Sequence, residues 1–132
     1  MKRQFILLLF ILAVGLTAYG QENGEKGLIK ISIMYPDGEG KQFDMEYYKS
    51  KHMPMVAGFL GSNLVKYTIE KGIAGSNPTQ LLPYVAIGTF YVKDLKAYQE
   101  AIAPNREAIR GDIVNYTNIV PVIFISEVVK TE

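Results

Sequence analysis

His52 is the single histidine in this chain of 132 residues, and there is no cysteine. Imidazole is the one side chain whose ordinary pKa lies between pH 5 and 8, so His52 is the residue best suited to moving a proton near neutrality. It stands in a series, Tyr48, His52, Met55, Val56 and Phe59, that recurs at helical spacing and forms one apolar stripe. A stripe of this kind faces inward, which places His52 at the floor of a cleft. It would then serve as a general acid or base. It fits equally a helix histidine bonded to a carbonyl that Pro54, two residues on, leaves free. An orienting carboxylate would separate the two readings, and Asp112 is the candidate.

The aromatic residues are the second feature. There are nine Tyr, six Phe and no Trp. Tyr48, Tyr67 and Tyr116 fall in segments expected to line the cleft, and with Phe59 they would surround a flat or apolar small molecule. Each of them singly also fits ordinary core or interface packing.

Other chemistries are excluded. Without cysteine there is no thiolate nucleophile, no disulfide and no thiolate metal site. One histidine rules out sites that need two imidazoles, which covers most protein zinc sites. No metal site is expected, and the cofactor is unknown. Gly38, Gly40, Gly72 and Gly75 make no phosphate-binding spacing, and no G-x-G-x-x-G opens a helix, so a nicotinamide site of the Rossmann type is not expected. A haem held by His52 as its one axial ligand stays open.

The elements that must position these residues can be read from the chain. Lys2 and Arg3 precede an apolar run of about 12 residues, Phe5 to Leu16, followed by Ala18, Tyr19 and Gly20. Residues 1–20 therefore read as a secretory signal cleaved after Gly20. The run is shorter than the ~20 residues of a membrane span. The product is expected to be exported, periplasmic or secreted, with no stable membrane anchor. The mature part would begin with a flexible leader, 21–27, and carry one domain over 28–130. Its 12 basic and 13 acidic residues nearly cancel, which points away from nucleic acid.

Leu28–Tyr35 alternates and predicts a strand. Asp44 is the predicted N-cap of a helix, with Phe43 and Tyr48 spaced as a hydrophobic staple. Pro54 predicts a kink just after His52 or a break into two short helices. Further strands are expected at Leu64–Glu70 and Tyr84–Tyr91, the latter with Gly88 in mid-strand, a sign of close approach by another group. Asp94 would cap a second helix, interrupted at Pro104 and continuing through Ile109. Residues 112–118 read as irregular, and Ile119–Val129 as the last strand. The order β-α-β-β-α-β is the ferredoxin-like plan, an α+β fold with a four-stranded antiparallel sheet and both helices on one face. The last two strands are apolar on both faces, where a sheet open to water would alternate. A second copy of the chain is the simplest cover, so a homodimer is expected.

Two segments carry a family resemblance. Phe43-Asp44-Met45-Glu46-Tyr47-Tyr48, leading to His52-Met53-Pro54, resembles the first-helix signature of the EthD family. Gly111-Asp112-Ile113-Val114-Asn115-Tyr116-Thr117, running into Pro121-Val122-Ile123, resembles a second family pattern near the end. Val114 stands where the family often has Pro, and Phe124 where a polar residue is common. The resemblance covers about residues 28–130. It implies a dimeric α+β barrel whose two sheets face each other, and a cleft between each sheet and its helices. Members are often labelled reductases or linked to ether breakdown. Related barrels include isomerases, cyclases and haem-degrading monooxygenases. The resemblance thus implies a small-molecule enzyme, an oxidoreductase or an isomerase or cyclase. The alternative is a binding protein for an apolar ligand or haem.

Overall fold

The computed structural model describes residues 24–132. The expected signal segment and its cleavage site lie outside the described residues. Within the expected leader, residues 24–27 form a turn, and the Gly27 amide donates to the Val128 carbonyl at 2.8 Å.

Four strands, β1 (Ile29–Pro36), β2 (Leu64–Lys71), β3 (Tyr84–Val92) and β4 (Val122–Glu127), form one sheet in the order β2-β3-β1-β4. All three pairings are antiparallel. Alternation in β1 puts Ile31 and Tyr35 into the core, where both are buried, with Ile29 and Ile33 partly covered. The helices lie over this face, so the chain has the α+β ferredoxin-like architecture. β4 is shorter than Ile119–Val129. Pro121 directly before it cannot donate to the ladder.

The first helical segment starts at Asp44, whose side chain accepts from the Tyr47 amide at 3.0 Å. The staple forms as edge-to-face packing of Phe43 on Tyr48, with ring centroids 5.0 Å apart. A short α1 (Met45–Tyr47) runs into a π turn (Tyr48–His52) and then α2 (Met53–Leu60). The helical run is thus not interrupted at Pro54. Proline has no amide to donate, and the chain absorbs this in one wide turn, in which the Met53 amide reaches back to the Tyr48 carbonyl. The wide turn has a consequence for facing. It admits one extra residue, and one residue is about 100° of helix. The buried positions are thus Tyr48, His52, Met53, Val56 and Leu60, while Met55 and Phe59 are only half-buried.

Asp94 caps α3 (Leu95–Ile102), accepting from the Ala97 amide at 2.7 Å. A 3-10 turn (Ala103–Asn105) passes Pro104, and α4 (Arg106–Ile113) continues to Ile113, beyond the expected end at Ile109. Asp112 accordingly lies in the last turn of α4 and not in irregular chain.

Among the described residues no helix covers the other face of the sheet. Phe124 and Val122 on β4 pair with Ser32 and Met34 and are 58% and 47% exposed there.

Candidate functional site

Between the helix side of the sheet and the helical layer lies a cavity of about 490 Å³. Its walls are apolar, supplied by Ile33 and Phe90 from the sheet and by Met53, Val56, Ile109 and Ile113 from the helices. His52 and Tyr48 line it from the π turn.

His52 is 5% exposed and its Nδ1 lies 2.8 Å from Oδ2 of Asp112. An ionised carboxylate is acceptor only, so Nδ1 carries the proton and donates it. The other oxygen, Oδ1, accepts from the Tyr47 hydroxyl at 2.6 Å and from Asn115 Nδ2 at 3.0 Å. Burial pushes the Asp112 carboxyl up. The donors on Tyr47, Asn115 and His52 outweigh this and hold it below the ordinary carboxylate value. For His52 burial is the larger influence and pushes its pKa below the ordinary 6.5, with Asp112 acting in the opposite direction. Both shifts favour the same state at neutral pH, a carboxylate beside a neutral imidazole. Nε2, without a hydrogen-bond partner among the described residues, is then left with a lone pair.

The ring cannot easily turn. Tyr48 stacks on it, with centroids 5.6 Å apart and an interplanar angle of 16°. Tyr116 packs on it at 4.6 Å. The Tyr116 hydroxyl meets that of Tyr35 at 2.7 Å. Burial raises the pKa of all three tyrosines, so they stay neutral. The Tyr48 hydroxyl is buried and has no hydrogen-bond partner among the described residues. It occupies the space a Cβ would take at Gly88, while Met53 Sδ lies 3.1 Å from that position. This is the close approach that the mid-strand glycine predicts.

His52 and Asp112 are 60 residues apart and are brought together by a clamp between the segments before α1 and after α4. The Asp44 amide donates to the Tyr116 carbonyl at 2.7 Å. The Thr117 hydroxyl donates to the Gln42 carbonyl at 2.6 Å. Asn118 accepts from the Gln42 amide at 2.9 Å and donates to the Gly40 carbonyl at 3.0 Å.

Of the residues expected at a site, the fold unites His52, Asp112, Tyr48 and Tyr116. Tyr116 lies behind the imidazole and does not line the cavity. Phe59 is turned away by the π turn, and Tyr67 sits on the edge strand β2, 36% exposed and packed on Phe90. Tyr47 and Asn115 were missed. The signal for Asn115 was its place three residues after Asp112 at a helix end. Tyr47 gave none, because its neighbour Tyr48 fits the inward stripe.

The comparisons with known proteins agree with this fold. The EthD domain family matches residues 36–119, which span both clamped segments. A crystal structure of an EthD-like protein from Ralstonia eutropha JMP134 is 44% identical, with a TM-score of 0.75, covering 81% of this chain and 96% of that one. An ethyl tert-butyl ether D (EthD) family protein from Bacillus halodurans C-125 shares the fold at 19% identity and a TM-score of 0.56, over 76% of this chain and 97% of that one. HapK from Hahella chejuensis does so at 12% identity and 0.52, over 79% and 95%. No curated protein matches the chain. With both signature segments meeting at the His52–Asp112 pair, and a relative this similar over most of its length, the chain belongs to the EthD family.

Proposed function

We propose that this protein is an acid–base enzyme acting on an apolar small molecule, with His52 moving the proton. The observation that carries this reading is the 2.8 Å bond from His52 Nδ1 to Asp112 at the wall of an apolar cavity. Nε2 takes a proton from a C–H or O–H of the substrate. The resulting imidazolium is stabilised by the Asp112 carboxylate. The proton then returns to a different atom of the same molecule. Such a step is redox-neutral, so it is an isomerisation or a cyclisation, and it supports these readings over the reductase label. Tyr47 and Asn115 act as positioning residues through Asp112.

The working protein is an exported homodimer in this reading. The exposed Phe124 and Val122 on the helix-free face of the sheet support the dimer, and the charged-then-apolar start of the sequence supports export.

The test begins with native mass spectrometry of residues 21–132 purified from their own host, to identify a bound small molecule. That molecule is then incubated with fresh protein in D₂O. Deuterium incorporation or rearrangement is expected, and His52→Ala should slow it by about 10²–10⁴-fold. An unchanged rate in His52→Ala would remove His52 from the chemistry. A ligand that returns unchanged, without deuterium, would make the protein a carrier.

A further inference from the structure

Arg106 and Arg110 are exposed on one face of α4, four residues apart, and both line the mouth of the cavity. They are the only charged groups lining it among the described residues. Neither guanidinium is engaged by a carboxylate among those residues, although Glu107 stands on the same helix. Here two fork-shaped donors are left free beside an apolar hollow, next to the exposed apolar rim residues Val114 and Val120.

We infer that the cavity takes a small apolar or aromatic molecule bearing one carboxylate, which Arg106 and Arg110 hold at the mouth. Guanidinium groups match a carboxylate with two parallel hydrogen bonds. The apolar body then extends inward along Ile33, Phe90 and Val56 toward His52. With no acidic side chain lining the cavity, the anion meets no like charge. The carboxylate is anchored at the mouth and not at His52, so the proton moved in the reaction belongs to another atom of the substrate. This deepens the proposed function and rests on the same cavity, though not on catalysis by His52.

The test is equilibrium binding of 2-naphthoate and its neutral counterpart 2-naphthamide to the wild-type protein and to the double variant Arg106→Gln/Arg110→Gln. Both arginines are exposed, so the variant should fold, and a thermal melt checks that. Wild type should bind naphthoate at least tenfold more tightly than naphthamide. The double variant should lose that preference while its affinity for naphthamide stays the same. Equal affinities in the wild type, or a preference that survives in the variant, would overturn the assignment. Binding of neither probe would overturn it too, by removing the cavity as a ligand site. Repeating the measurement with His52→Asn separates the two proposals. Retained naphthoate preference there supports the arginine pair whatever becomes of catalysis. A preference lost with His52 would overturn the pair as the anion's anchor.

Discussion

Asp112 accepts three donors on its two oxygens, one of them Nδ1 of His52, while burial keeps that imidazole neutral. Because the histidine is unique, its ring signals in an NMR titration need no mutagenesis to assign. The folded protein should show a pKa below 6.5 and a nitrogen pattern with the proton on Nδ1. Asp112→Asn removes the influence that raises the pKa, so the titration should move further down. A pKa at or above 6.5 in the wild type would contradict the arrangement. The same shifts set a stability profile. Between the depressed folded pKa of His52 and 6.5, the unfolded chain binds the extra proton. Stability from this group is therefore complete above pH 6.5 and falls as the pH drops through that window. The Asp112 carboxyl is held below 3.8, so its contribution is lost in turn as the pH falls below that value. Both losses are on the acid side, and the midpoint of urea unfolding should decrease monotonically from pH 7 to pH 3. A midpoint that rises on acidification would refute the assignment.

Between elements, the tightest fit is that of the π turn on β3 at Gly88. A methyl at Gly88 would overlap the Tyr48 hydroxyl and crowd Met53. Gly88→Ala should therefore destabilise the fold by about 1–3 kcal/mol through overpacking. Tyr48→Phe removes a buried hydroxyl that has no partner among the described residues, and should be stabilising by about 1 kcal/mol. The two substitutions share one space. Tyr48→Phe should offset much of the loss in Gly88→Ala, a coupling that denaturant melts of the double-mutant cycle measure. Additive effects would show that the hydroxyl does not fill the gap.

Across the whole molecule the unexplained surface is the helix-free face of the sheet. Phe124 and Val122 stand exposed there, and large apolar side chains on an open sheet mark a surface that is covered in use. A dimer of the described domain should be seen by light scattering at micromolar concentration. Phe124→Glu should return it to a monomer, since burying an unpaired carboxylate costs several kcal/mol. A wild-type monomer would leave this face to some other partner and remove the dimer from the proposed function.

Much of this was legible in the sequence. The alternation of β1, the side-chain caps at Asp44 and Asp94 and the staple of Phe43 on Tyr48 are local, because each depends on residues a few positions apart. So is the apolar character of β4, and so is the uniqueness of His52. The order of these elements was enough for the fold. The facing of the first helical segment was not legible, since a proline can be absorbed as a kink, a break or a wide turn. The choice depends on what packs against it, here Tyr48 seated on Gly88. The cavity wall was hidden for the same reason. The one-residue shift of the π turn puts Met53 and Leu60 inward and leaves Phe59 half-buried and off the cavity wall. The pairing of His52 with Asp112, the donors from Tyr47 and Asn115, and the free arginines at the mouth were likewise decided by the tertiary structure. These groups lie on segments far apart in the chain. The hydrogen bonds between Gly40–Asp44 and Tyr116–Asn118, together with the ring packing on His52, hold them in place.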